Sequence, residues 1–323
     1  MAMTPEVSVV IPTHSRWDLL ATAALPAAFG QEDVELEVIV VDDGSTDETA
    51  ERLAGLEEPR LRVVRHDRTR GVAQARNTGI AAARGEWIAL LDDDDLWAPR
   101  KLRTQLDAAA AAGAVFAYGG AAALAEDRSW VYSLAPPDPE TLASVLLQRN
   151  VLWGGCSNVL VRTDVVRELG GFDEQLFQLT DWDLWIRLSQ AGRAAAWPEV
   201  VVGCIEHRRS MLLTSEPDVF QEFDYVEEKH RAARDASNLR IDRRIFSRWV
   251  ALGHRRAGRR AHAARVYLDG AVRNRDPGSL ARALVAPLGE RPVEWVEPLR
   301  RRLVSAELRN QGSTEPWWIA RYR

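Results

Sequence analysis

Four consecutive carboxylates, Asp92-Asp93-Asp94-Asp95, follow the apolar run Trp87-Ile88-Ala89-Leu90-Leu91. Successive side chains of an extended segment face opposite ways, so Asp92 and Asp94 are expected on one side and Asp93 and Asp95 on the other. Adjacent carboxylates repel, and they resist ionisation unless a cation or several donors stand between them. Hard oxygen ligands suit Mg2+ or Mn2+, and an Mg-like ion completes its shell with substrate phosphates. The same residues also read as a solvated acidic turn at the start of a helix near Pro99. A second acidic position lies in Thr180-Asp181-Trp182-Asp183. There Thr180 and Asp183 have the spacing of a capping box, which makes Asp183 structural and puts Asp181 at the first helical position.

The elements that must hold these groups alternate. Val7 to Ile11 and Val38 to Val41 are β-branched runs stopped by Pro12 and by Asp42-Asp43-Gly44, as buried parallel strands are. Trp17 to Phe29 carries apolar residues at helical spacing between them. The rhythm repeats with a helix over Asp47 to Leu56, a strand over Leu61 to Val64, a helix over Val72 to Ala83 and the strand Trp87 to Leu91. Such alternation predicts a doubly wound α/β fold with ligands outside the carboxyl ends of the strands. Thr13-His14, Asp42-Asp43 and Asp92 to Asp95 all sit at those ends. Beyond them the spacing predicts a helix over Pro99 to Ala112, strands over Val115 to Tyr118 and Asn158 to Val161, and a helix over Asp164 to Leu169. Gly170 to Asp173 then reads as a tight turn.

The α/β part is expected over residues 1–215 and a helical region over 216–323. Trp249, Leu252, Gly253 and Pro277 have the spacing of one tetratricopeptide unit, with Ala264 and Tyr267 out of phase. One unit cannot bury its own face, so it should pack on the α/β domain or on a second copy, which is compatible with a homodimer. The tail Trp317-Trp318-Ile319, beside Arg321 and Arg323, has the amphipathic character of a peripheral membrane contact; docking or a disordered end is the other reading. A chain of 323 residues with net charge −5 argues against nonspecific nucleic-acid binding. Cys156 and Cys204 lack metal-ligand spacing, and no apolar run approaches the length of a membrane span, so a soluble cytoplasmic protein is expected. The twelve tryptophans have no functional explanation.

Residues 7 to about 210 resemble the family-2 glycosyltransferases of GT-A fold. The resemblance rests on six ordered motifs: Val9 to Thr13, Val41 to Asp47, Gly71 to Gly79, Leu91 to Trp97, Gly170 to Glu174 and Asp181 to Trp185. It implies inverting transfer of a sugar from a UDP- or dTDP-sugar to a hydroxyl of a glycan, lipid-linked or small-molecule acceptor. It also implies a Rossmann-like, mostly parallel sheet flanked by helices, with an α-helical C-terminal extension. Pro12, Thr13 and Asp43 are then at the uracil or thymine ring, Arg76 at the phosphates, and Asp94 on a Mn2+ or Mg2+ ion. Asp92 or Asp93 is at the ribose or in the metal shell. Asp181 corresponds to the general base, with Thr180 where the family has glutamate. His207 corresponds to a further metal ligand, and Trp153, Gly171, Phe172 and Asp173 border the acceptor. Asx-turn, surface ion-pair and capping roles are the alternatives for Asp43, Arg76 and Asp181. A nucleotidyltransferase, or a degenerate glycosyltransferase-like scaffold, is the competing functional reading.

Overall fold

The computed structural model describes residues 4–206, 219–288 and 315–323. Contacts gather residues 4–146, 151–206 and 315–323 into one unit, and 147–150 with 219–288 into a second.

The first unit is a mixed α/β body around one curled sheet. Its early elements are β1 (Val7–Thr13), α1 (Trp17–Leu19), continuing through a π-helical turn into α2 (Leu25–Phe29), β2 (Leu36–Asp42), α3 (Thr49–Ala54), β3 (Leu61–Arg65), α4 (Val72–Ala82) and β4 (Trp87–Leu90). After the acidic turn come β5 (Asp95–Trp97), α5 (Lys101–Ala112), β6 (Phe116–Leu124), β7 (Trp130–Leu134), α6 (Leu142–Leu146), β8 (Leu160–Arg162), α7 (Thr163–Glu168), α8 (Thr180–Ala191) and β9 (Ala194–Ile205). The described strands follow the order β3-β2-β1-β4-β8-β6-β9-β5, with β7 on β6. β1, β2, β3 and β4 pair in parallel, whereas β8 is antiparallel to β4 and β6, and β5 to β9.

β1 and β2 are buried along their whole length, which is why they read as unbroken apolar runs. Register aligns their ends. Val10 pairs with both Ile39 and Leu90, and Thr13 pairs with Asp42. The chain leaves β4 after Leu90, beside the end of β1. α4 lies hard against β1 at Gly79, where a Cβ would stand 2.2 Å from Val10 Cγ1. Any larger residue would lift α4, and with it Arg76, off the sheet.

Three strands exceed the sequence reading. β5 is a strand only because β9 pairs with it, and β7 likewise depends on β6. β9 contains Pro198, which cannot donate to a ladder. The β6–β9 register shifts there, from Tyr118 opposite Ala196 to Gly120 opposite Val200.

The tail corrects the membrane expectation. Residues Trp317–Tyr322 form a 3-10 helix whose Trp318 and Ile319 are buried in the core of the first unit with Trp97 and Val202. Trp318 Nε1 donates to the Val200 carbonyl at 3.0 Å, and the Tyr322 hydroxyl donates to the Trp97 carbonyl at 2.8 Å. Those side chains are therefore not presented to a lipid surface, although Trp317 stays exposed. No helix among the described residues is long and apolar enough to cross a membrane.

The second unit is helical: α9 (Val219–Lys229), α10 (Arg231–Ala236), α11 (Arg243–Arg256), α12 (Arg260–Asn274) and α13 (Pro277–Val285). Asp276 caps α13 through the Gly278 amide at 3.1 Å and holds Arg248 of α11 at 2.6 Å. Tyr267, out of phase for a repeat unit, is buried with Ala251, Ala283 and Ala286 in the small core of these helices.

Candidate active site

The acidic residues do not alternate across a strand. β4 ends at Leu90, and Asp93-Asp94 forms a turn closed by the Asp95 amide on the Asp92 carbonyl at 3.2 Å. The turn gives each carboxylate its own surroundings. Asp92 Oδ1 accepts from Arg76 at 2.6 Å, and the Asp92 amide donates to Ser157 Oγ at 2.9 Å. Asp93 accepts from the Thr13 hydroxyl at 2.8 Å and pairs with Arg16 at 3.0 Å. Asp94 pairs with the same Arg16 at 2.5 Å. Asp95 is buried on the Ser157 hydroxyl at 2.5 Å. The expected two-sided claw is replaced by Asp93 and Asp94 sharing one arginine.

Burial, then repulsion from Asp94, pushes the Asp93 carboxyl up to about 8, even with Arg16 beside it. Burial and the same neighbour raise Asp95 well above the usual carboxylate range. Four carboxylates here meet the guanidinium groups of Arg16 and Arg76. Asp92 and Asp94 keep 31% and 18% of their side chains exposed. Their donors are hard oxygens, which suit Mg2+ or Mn2+. Among the described residues no cluster of three or more His, Cys, Asp or Glu side chains forms a ready metal cage. An Mg-like ion, held by one or two carboxylates plus substrate phosphate, does not need one. His207 lies outside the described residues.

At the end of β2, Asp42 holds the turn that follows, its Oδ1 accepting from the Ser45 amide at 2.9 Å. Asp43 is tied elsewhere. Its Oδ1 meets His66 Nδ1 at 2.7 Å and the Arg70 amide at 2.9 Å, and its Oδ2 accepts from the Gly71 amide at 2.9 Å. Asp43 thus sets the loop that starts α4. The His14 ring, exposed at the rim, donates through Nδ1 to the Asp43 carbonyl at 2.8 Å. Pro12 is buried within β1 opposite Val41, so the open surface here comes from His14 rather than Pro12.

Arg76 is no surface ion pair. It is buried on α4, donates to Asp92 and, at 3.3 Å, to Thr180 Oγ1, and lies 5.2 Å from the centre of the Phe172 ring. Its charged form is strengthened by Asp92 and reached by Asp181, against the opposing effect of burial. One guanidinium therefore spans the acidic turn and the start of α8.

The capping box is not formed. α8 begins at Thr180 itself, with Leu179 in the capping position and no side-chain cap, and the Thr180 hydroxyl accepts from Arg76 instead. Asp183 is structural through an ion pair with Arg187 at 2.7 Å. Asp181 Oδ1 accepts from the Trp182 amide at 2.7 Å, and a Cβ on Gly155 would stand 3.8 Å from its Oδ2. Trp153, in the same loop, is half exposed.

Two acceptor assignments change. Phe172 is buried beneath Arg76 and offers no surface to an acceptor. Gly171 has φ +69°, and a Cβ would stand 2.4 Å from Asn77 Oδ1. Asn77 grips both backbone groups of Phe172, at 2.8 and 2.9 Å, so this turn anchors α4. Asp173 is half buried and accepts from the Gln175 amide at 3.0 Å. His14 stands at the rim as the strand ends predict, whereas Arg16, His66 and Ser157 were not singled out by the sequence. Arg16 lies three residues beyond Thr13, and nothing in its spacing marks it as a neighbour of Asp94.

The family model described as "Glycosyl transferase family 2" matches residues 8–170. The succinoglycan biosynthesis protein ExoO of Rhizobium meliloti is 34% identical over 216 residues, covering 64% of this chain and 61% of that protein. The chain thus spans less than two thirds of ExoO. The UDP-Glc:alpha-D-GlcNAc-diphosphoundecaprenol beta-1,3-glucosyltransferase WfgD of Escherichia coli is 25% identical over 190 residues, covering 59% of this chain and 72% of that one. In structure, the chain matches S. aureus TarS 1-349 in complex with UDP-GlcNAc at a TM-score of 0.57 and 16% identity, over 77% of this chain and 72% of that chain. This likeness shows the GT-A fold.

Proposed function

Because this chain belongs to glycosyl transferase family 2, we propose that it moves a sugar from a UDP- or dTDP-sugar to an acceptor hydroxyl, with inversion and a divalent cation at the acidic turn. The observation that carries the reading is the Arg76 guanidinium, which touches Asp92 and the residue before Asp181 together. In this reading the leaving diphosphate lies at the turn and the acceptor at Asp181, the two ends that Arg76 ties together.

In this reading Thr13 and Asp43, beside Pro12, receive the pyrimidine ring, and Asp43 Oδ2 keeps acceptor capacity beyond the Gly71 amide. Asp92 and Asp93 border the ribose and phosphates. Asp94 and Asp92 would hold Mn2+ or Mg2+, which supplies charge neutralisation for the departing nucleoside diphosphate. Asp181 Oδ1 is steadied by the Trp182 amide, while Oδ2 takes the acceptor proton as the hydroxyl oxygen attacks the anomeric carbon. Trp153 offers its exposed face to the acceptor. The name of WfgD supports a uridine donor and a lipid-linked saccharide acceptor, and that of ExoO supports a polysaccharide product. The free thiols of Cys156 and Cys204 suit a cytoplasmic setting.

The test is Asp181→Asn with a panel of UDP- and dTDP-sugars in Mn2+. Transfer should fall by about 10²–10⁴, the usual share of a general base, with donor affinity kept. Retained turnover overturns the base assignment. Consumption of nucleoside triphosphate, without release of diphosphate, would instead mark a nucleotidyltransferase.

A further inference from the structure

Two arginines serve the acidic turn, and they are held very differently. Arg76 has 6% of its side chain exposed and is fixed by Thr180 and the Phe172 ring as well as by Asp92. Arg16 has 21% exposed and sits in the loop after β1, where its guanidinium meets Asp93 and Asp94. The backbone of that loop is anchored. The Ser15 amide donates to Ser45 Oγ at 2.8 Å, and the Thr46 amide donates to Ser15 Oγ at 3.0 Å. Only the Arg16 side chain needs to rotate for the guanidinium to leave.

Arg16 therefore stands on Asp94, the carboxylate that the proposed function gives to the divalent cation. A cation arriving at Asp94 repels the guanidinium already there, which favours the departure of Arg16. The loop that carries Arg16 also carries His14 and follows directly on Thr13, at the proposed nucleotide end of the rim. A bound nucleoside diphosphate offers the displaced guanidinium a new anion, with the planar, bidentate geometry that arginine suits.

We propose that Arg16 is an exchangeable counter-ion: it holds Asp93 and Asp94 while the donor is absent, and passes Asp94 to the divalent cation as it moves onto the incoming diphosphate. The inference rests on the cation site of the proposed function. Its consequence is coupling, because cation and nucleotide each bind weakly alone and strongly together. If Arg16 leaves Asp94 unaided about one tenth of the time, the apparent affinity for the cation alone is lowered about tenfold. Nucleotide binding removes that penalty.

The test measures Mn2+ binding to the full chain by electron paramagnetic resonance of free Mn2+, with and without UDP, for wild type, Arg16→Gln and Arg16→Lys. Without UDP, Arg16→Gln should bind Mn2+ about tenfold more tightly than wild type, and Arg16→Lys should stay near wild type. With UDP the advantage of Arg16→Gln should vanish, so its cation–nucleotide coupling falls about tenfold. Equal or weaker Mn2+ binding by Arg16→Gln without UDP overturns the exchange while leaving the cation site standing. Failure of all three proteins to bind Mn2+ even with UDP overturns the cation site, and the exchange with it. Circular dichroism of each variant checks that the fold is kept.

Discussion

Arg76→Lys separates bridging geometry from charge. A lysine ammonium keeps the positive charge on α4, but it cannot reach Asp92 and Thr180 together while lying over Phe172. The lost bond to Thr180, 3.3 Å long, is worth about 1 kcal/mol. The contact with the Phe172 ring, at 5.2 Å, adds about 0.5–2 kcal/mol in this buried position. Part of the charge-assisted bond to Asp92, about 1.5–3 kcal/mol in full, goes as well. Asp92 is 31% exposed and regains water, which limits that last loss. The sum is roughly 2–4 kcal/mol. Because the chain comprises two units, one global melting curve does not isolate the effect. Native-state hydrogen exchange of α4 and of the first turn of α8 does. The same variant should lower transfer, since the Asp92 and Asp181 ends lose their common tether. An exchange free energy in α8 changed by less than about 0.5 kcal/mol, with kcat/KM also unchanged, would refute the claim that Arg76 couples the two halves of the site.

Further outcomes follow from the tail and from the acidic turn. Trp318→Ala empties a fully packed position of the first unit and should cost about 3–5 kcal/mol. Tyr322→Phe removes only the bond to Trp97 and should cost about 1 kcal/mol. Urea unfolding monitored on β5 and β9 distinguishes this from a loose tail, for which neither change would register. Asp93 governs a pH dependence. Its folded value, about 8, lies above the unfolded value near 3.8, so the folded state holds a proton that the unfolded state has lost. This group's stabilisation is full below about pH 4 and is lost as pH rises to about 8. Asp93→Asn should flatten the fall in stability over that range and leave the metal-free protein the more stable of the two at pH 9. Identical profiles for the two proteins would show that Asp93 carries no raised proton.

Much of the sheet was legible because β1 and β2 are covered on both faces, and such strands must be unbroken apolar runs ending where polar residues begin. That rule places Thr13, Asp43 and Asp92 to Asp95 on one rim, and there the Thr13 hydroxyl donates to Asp93. The motif around Asp181 placed it at a helix start, where the structure has it. The short strands β5 and β7 carry no such mark, since pairing with β9 and β6 is what makes them strands. The Trp-rich tail looked amphipathic because nothing local announces a vacancy in a core built by residues far earlier in the chain. The direction of each carboxylate was equally out of reach. A turn at Asp93-Asp94 replaced the extended alternation, and the arginines that answer it come from the loop after β1 and from α4. The order of residues along the chain determined which groups reach the rim, through periodicity and burial. Which charge faces which was decided only by folding, because ion pairs between distant segments are selected by the shape that brings them together.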